Sequence, residues 1–314
     1  MDEHVFGPVP SRRLGRSIGI NNIPPKICTY SCVYCQLGRA IEMTAERRSF
    51  FDPETLIAET ARHLEATLRR GEVVDYLTIV PDGEPTLDAG LGRLIRGLGR
   101  LGVPVALITN SSLLGDPAVR ADLAGLDWVS VKIDAADEAT WRRIDRPHRA
   151  LEFEAIIGGR AAFAAAFHGT LTTETMLVNG LNDEAGQTAA VAEIAGGLHP
   201  AVSYVSIPTR PPALDWVKPA AEQAVARAYA AFSRHVPRVE NLVGYEGNEF
   251  SASGDARADL LGISAVHPMR RDAVEGILAH DGAGVEVLDE LLEAGELVEV
   301  EFGSNAFYVR GFRK

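Results

Sequence analysis

Apolar and polar positions in this chain alternate between two periods. Short runs rich in apolar and β-branched residues are each followed by a longer stretch with apolar residues at helical spacing, the pattern of parallel strands joined by helices. Strands are expected over residues 17–22, 73–80, 103–109, 127–134, 170–178 and 203–208. Helices are expected over 53–70, 88–101, a short stretch after Pro117, 138–143, 151–167, 184–195 and 219–235. Asp52 suits the N-cap of the first helix, because its carboxylate can accept a bond from a free backbone N–H; Pro53 suits the first helical position, which needs no N–H. Six strand–helix units in a row predict an α/β chain folded as a partial (βα)6 barrel of the TIM type, with its site at the C-terminal ends of the strands. A doubly wound open sheet is the competing architecture, but no Gly-x-Gly-x-x-Gly fingerprint follows the first strand.

The period changes after residue 237. Residues 238–255 hold Gly244, Gly247, Ser251, Ser253 and Gly254 and read as a connection. Amphipathic helices are expected over 270–279 and 285–294, then two strands over 296–301 and 306–310 around Gly303, Ser304 and Asn305, a hairpin signal. Helix, helix and hairpin predict a small winged-helix-like domain over 256–314, following a barrel over 1–237.

Composition narrows the partners. The net charge of −12 argues against nonspecific attraction to a polyanion. From Asp255 to Lys314 acidic residues outnumber basic ones twelve to six, and the expected recognition helix carries Glu286, Asp289, Glu290 and Glu293 with no base. DNA is therefore not an expected partner; protein contact or packing against the barrel is. No apolar run approaches the ~20 residues that span a bilayer, and Met1–Pro10 lacks the basic and apolar regions of a signal peptide, so a cytoplasmic protein with no membrane partner is expected.

All three cysteines lie within eight residues, as Cys28, Cys32 and Cys35. An odd number of such close neighbours makes a poor disulfide framework, so a metal or cluster comes first. Thiolates favour iron–sulfur clusters, zinc or copper(I), and structural zinc usually takes four protein ligands, of which nothing nearby supplies a clean fourth. Three thiolates on an iron–sulfur cubane leave one iron open to a ligand.

Other polar residues stand at expected strand ends. Asp82, Gly83 and Glu84 follow the second strand, where glycine permits close backbone approach and a carboxylate can receive an ammonium. In the fourth strand Val129, Val131 and Ile133 face one way, and Ser130, Lys132 and Asp134 the other. A polar stripe in a central strand suits a wet or ligand-filled interior. There Lys132 could bind a carboxylate, pair with Asp134 or form a Schiff base. Asn110, Thr172 and Glu174 have comparable positions. Beyond the fourth strand Arg142, Arg143, Arg146 and His148 form a cationic patch, with Arg146 and His148 the better candidates for a substrate phosphate or carboxylate. Arg12, Arg13 and Arg16 form a second patch.

The C-x3-C-x2-C spacing with Tyr34 just before the last cysteine resembles the radical S-adenosylmethionine (SAM) superfamily. Over most of residues 1–250 the chain is similar to its wyosine-synthase-like members. The likeness rests on Phe6 to Gly15, the cysteine loop, Asp82 to Leu87, Thr109 to Ser112, Val131 to Ala135 and Arg142 to His148. It implies a [4Fe–4S] cluster on Cys28, Cys32 and Cys35, with SAM on the open iron and a 5′-deoxyadenosyl radical that takes hydrogen from a substrate. It also implies that Tyr34 lies beside the adenine and that Glu84 with nearby carbonyls holds the SAM amino group. Gly83, Asn110, Ser130 and Glu174 are further candidate SAM contacts, Lys132 and Asp134 candidate catalytic residues, and Arg146 and His148 candidate substrate contacts. Expected partners are an electron donor of flavodoxin or ferredoxin type and a small-molecule, nucleoside or peptide substrate. The wyosine enzymes modify tRNA and carry a second cluster on three further cysteines, which this chain lacks. Modification of a tRNA base is therefore an alternative, and a noncatalytic iron–sulfur sensor with winged-helix output is another.

Overall fold

The computed structural model describes residues 4–244, 250, 254–265 and 267–311. In chain order these residues form β1 (Val5–Ser11), β2 (Gly15–Ile20), β3 (Ile27–Cys28), β4 (Glu42–Met43), α1 (Pro53–Arg69), β5 (Tyr76–Ile79), α2 (Leu91–Leu98), β6 (Val105–Thr109), α3 (Pro117–Leu123) and β7 (Trp128–Lys132). There follow α4 (Glu138–Ile144), α5 (Phe153–Ala166), β8 (Thr170–Met176), α6 (Ala185–Gly197), β9 (Val202–Ser206), α7 (Glu222–Phe232) and β10 (Val239–Leu242). Last come α8 (Ala256–Ser264), β11 (Met269–Arg270), α9 (Arg271–His280), α10 (Glu286–Glu293), β12 (Leu297–Phe302) and β13 (Asn305–Arg310). None of the described helices is long and apolar enough to cross a membrane.

The main sheet has eight strands in the order β1-β2-β5-β6-β7-β8-β9-β10. From β2 to β10 every pairing is parallel, and β1 adds antiparallel to β2 at one edge. This is a partial TIM-type barrel, as the alternation of strand and helix predicts. Two strands of this sheet lie outside the expected set. β1 carries Pro8 and Pro10, which an edge strand tolerates. β10 lies inside the stretch read as a connection and pairs in parallel with β9. α8 is a further element not expected, and Gly247, Ser251 and Ser253 fall outside the described residues.

Period-two alternation sorts the sheet into an outer and an inner face. Leu77, Ile79, Val105, Leu107, Val129, Val131, Leu171 and Val205 pack in one core with Leu56, Leu91, Leu94 and Phe163 of the surrounding helices. Their strand neighbours turn inward. Ala106, Trp128, Val202, Tyr204 and Leu242 meet Leu14 in a separate interior cluster. Leu14, before β2, and Leu242, in the opposite edge strand, share this cluster, so the sheet curls on itself. α1 starts where Asp52 accepts a bond from Thr55 N at 3.1 Å. His63 on α1 reaches the Gly7 carbonyl at 2.7 Å, and His4 meets Glu59 at 2.9 Å, so α1 pins β1 to the sheet.

The C-terminal elements have a core of their own, built on Leu260, Val274, Ile277, Leu291 and Tyr308. Its small sheet runs β11-β13-β12. Val9 of β1 packs against this core, and α8 lies along β1.

Candidate functional site

The cysteine loop leaves the sheet after β2, at the C-terminal end of the parallel strands, and segments that follow the next three strands hold it. From the β5 end, Glu84 N donates to Ile27 O at 3.1 Å. Gly83 is required here: its φ is +154°, and an added Cβ would stand 2.1 Å from the Ile27 carbonyl oxygen. From the β6 end, Asn110 Nδ2 donates to Thr29 Oγ1 at 2.7 Å and approaches Cys28 Sγ at 3.6 Å. From beyond β7, Ser31 N donates to Asp145 O at 3.1 Å and Val33 N to Ile144 O at 2.9 Å, while His148 N donates to Thr29 O at 2.8 Å. Lys26, Ser111 and Arg146 take left-handed backbone at φ 66°, 63° and 46°, an uncommon choice for residues other than glycine. Lys26 lies in the cysteine loop itself, and Ser111 and Arg146 lie in the segments that brace it.

Glu84 is buried at 1% exposure and organises the frame. Its Oε1 accepts from Thr86 N at 3.1 Å, Thr86 Oγ1 at 2.5 Å and Thr109 Oγ1 at 2.6 Å, and its Oε2 accepts from Asn110 N at 2.9 Å. Three of these four accepted bonds crowd onto Oε1, and Oε2 takes one. Burial pushes the carboxyl above its ordinary range, and the hydroxyl and backbone donors oppose that push.

The three cysteines are free and half-buried. Burial pushes all three thiols up, with Glu84 adding to the effect at Cys28 and Asp145 at Cys32. Bound iron would reverse this, because a metal favours the thiolate outright. Among the described residues no three His, Cys, Asp or Glu side chains converge as ligands of one metal ion. Donors already face Cys28: Tyr30 N at 3.5 Å and Asn110 Nδ2 at 3.6 Å, the type of bond that tunes cluster sulfur.

Beside the loop lies a cavity of about 320 Å³ inside the curled sheet. Tyr34, Cys35 and Gln36 line one side, and Thr78, Ile108, Lys132, Glu174 and Ser206 project from the strands. Lys132 pairs with Glu174 at 2.9 Å, and Arg13, from the β1–β2 turn, reaches the other oxygen of the same carboxylate. Asp134 instead accepts the Tyr34 hydroxyl and, at 2.7 Å, Met176 N. The Lys132 ammonium stands 5.0 Å above the Tyr34 ring, within cation–π range. Ser130 is buried and does not line the cavity. Sequence patterning did not single out Arg13 as the partner of Glu174, since they are 161 residues apart. Arg146 lies away from this cavity, in a surface cleft with Arg142, Arg143 and Trp216. His148 accepts from Ala150 N at 3.4 Å and lines neither.

Residues 22–191, more than half of the chain, match the Radical SAM superfamily. The chain belongs to this superfamily. This radical SAM protein is 38% identical to a UPF0026 protein of Methanocaldococcus jannaschii over 98% of its own length and 96% of the relative's. It is 34% identical to a UPF0026 protein of Synechocystis over 66% of its length and 76% of that protein's. Among solved structures it resembles a radical SAM methyltransferase from Sphaerobacter thermophilus, with a TM-score of 0.53 at 13% identity, over 72% of this chain and 66% of that one. It likewise resembles Streptococcus suis SuiB bound to S-adenosylmethionine, with a TM-score of 0.52 at 12% identity, over 71% of this chain and 49% of that one. The superfamily uses a [4Fe–4S] cluster and SAM and consists of enzymes. This radical SAM chain is accordingly an enzyme, which sets aside the noncatalytic sensor.

Proposed function

We propose that Cys28, Cys32 and Cys35 each ligate one iron of a single [4Fe–4S] cluster, and that the cavity beside them takes a small substrate from which hydrogen is removed. The observation that carries this reading is convergence: segments after β5, β6 and β7 all bond to the cysteine loop at the mouth of one lumen. When bound, the cluster supplies the electron that cleaves SAM to methionine and a 5′-deoxyadenosyl radical. The protein's part is to bind, orient and exclude water. Gly83 lets the backbone approach closely, and Glu84 fixes that backbone; we assign the SAM amino group to the carbonyls there. Tyr34, held by Asp134, offers its ring to the adenine. Arg13 and Lys132 share the one carboxylate of Glu174, which leaves net positive charge in the lumen for an acid group of the substrate. A cavity of about 320 Å³ suits a small molecule or nucleoside. Radical SAM enzymes need a reductant; we assign a flavodoxin or ferredoxin and a reducing compartment such as the cytoplasm, where thiols stay available. We read residues 256–311 as a winged-helix-like unit from the order α8, β11, α9, α10 and the β12–β13 hairpin.

The test is anaerobic reconstitution with SAM and dithionite. Cluster-loaded protein should yield 5′-deoxyadenosine, and Cys28→Ala, Cys32→Ala or Cys35→Ala should lose iron and product together. Cleavage surviving in all three variants would overturn the ligand assignment.

One observation favours a tRNA substrate as a second reading. The surface cleft lined by Arg142, Arg143, Arg146 and Trp216 holds about 500 Å³, and Trp216 is 53% exposed. Guanidinium groups beside an exposed aromatic ring suit phosphates and a stacked base. Salt-dependent binding of bulk tRNA would support this reading, and its absence would remove it.

A further inference from the structure

One residue lining the cavity comes from outside the barrel. His267, between α8 and β11, lines the same space as Tyr34, Cys35 and Lys132. It is buried, and its ring stands edge-on to Phe250 with centroids 5.2 Å apart. Its Nε2 lies 2.8 Å from an Arg210 guanidinium nitrogen. A guanidinium has no acceptor, so Nε2 accepts, and the imidazole is neutral with its proton on Nδ1. The second terminal nitrogen of Arg210 donates to Gln36 Oε1 at 2.7 Å. Gln36 directly follows Cys35. A chain of three side chains therefore crosses the cavity mouth, from the C-terminal unit through the segment after β9 to the cysteine loop.

We infer that His267 is a positioning residue: by holding Arg210 against Gln36, it couples the seating of the C-terminal unit to the conformation of the loop after Cys35. Arginine loses much rotamer freedom when held in one place, so a fixed acceptor on each side decides where its head rests. The seating itself is broad. α8 packs along β1, where Gly262 faces the Phe6 side chain. His267 therefore makes the C-terminal unit part of the cavity wall. The consequence for catalysis rests on the cluster reading above; the coupling does not.

Hydrogen exchange on the full-length apoprotein tests the coupling without cluster or SAM. His267→Phe keeps an aromatic ring against Phe250 and removes the acceptor, whereas His267→Gln restores an acceptor and removes the ring. In His267→Phe, amides in peptides 33–39 and 207–212 should exchange about tenfold faster, the effect of losing a bond to a charged group. His267→Gln should stay within about twofold of the parent. Unchanged exchange at 33–39 in His267→Phe, or equal acceleration in both variants, would overturn the inference. Should His267→Phe loosen every peptide, Arg210→Met decides: faster exchange at 33–39 with 271–280 unchanged upholds the coupling, and no change at 33–39 ends it. Failure of SAM cleavage in the reconstituted parent would sink the cluster reading alone and leave these exchange results standing.

Discussion

Replacing Glu174 with Gln keeps the shape of the lumen and removes the carboxylate that Lys132 and Arg13 share. Burial pushes the Glu174 carboxyl up, but the Lys132 ammonium and the Arg13 guanidinium overcome it and hold it at about 2, against 4.5 ordinarily. That displacement is worth about 3 kcal/mol at neutral pH. The carboxyl binds its proton less readily in the folded chain than in the unfolded one. The stabilisation is therefore fully present above the unfolded value and is lost as pH falls toward the folded one. By pH 3.5 about 1.4 kcal/mol of it is gone. Glu174→Gln has no such titration, and it leaves two half-buried cations without their shared counter-ion, for which a cost of about 3–5 kcal/mol at pH 7 is expected. Urea unfolding of parent and variant, followed by circular dichroism at pH 7 and pH 3.5, measures both quantities. The gap between the two proteins should be about 3 kcal/mol or more at pH 7 and narrow by about 1.4 kcal/mol at pH 3.5. A gap under about 1 kcal/mol, or one that does not narrow, would refute the view of Glu174 as the counter-ion of the lumen.

Three further variants follow from the geometry. Gly83→Ala drives a Cβ to 2.1 Å from the Ile27 carbonyl oxygen, so the backbone must shift; iron incorporation should fall, with a stability loss of about 1–3 kcal/mol by thermal unfolding. Normal iron content would show that the close approach is dispensable. Thr109→Val keeps the volume and removes one donor to Glu84, a loss of about 1–3 kcal/mol by urea unfolding, whereas a neutral result would mean that Glu84 is over-satisfied. If the arginine cleft binds tRNA, Arg143→Ala with Arg146→Ala should lower the salt slope of binding by about 2. An unchanged slope would place any RNA contact elsewhere.

Local patterns made much of the site legible from the sequence. The alternation across β7 put Lys132 inside and Val129 and Val131 outside because a strand side chain has only two faces. The cysteine spacing and Gly83 announced themselves through short-range chemistry. The missed features depend on long-range partners. β1 carries two prolines that argue against a strand until the edge position is known. β10 is four residues long and gains its pairing only from β9. Arg13 meets Glu174, and Arg210 meets His267, across gaps of sequence that no periodicity spans. Lys132 was open to several roles because the sequence could not say which carboxylate would come within reach; that carboxylate is Glu174, on the neighbouring strand.

The central claim is a three-cysteine cluster whose open iron receives SAM. Electron paramagnetic resonance of the reduced, reconstituted protein tests it most directly, recorded before and after SAM is added and paired with iron analysis. About four irons per chain are expected, set by the cluster type. A spectrum that shifts on adding SAM is also expected, with 5′-deoxyadenosine in the same sample. A fully loaded cluster whose spectrum ignores SAM, with no 5′-deoxyadenosine formed, would contradict it.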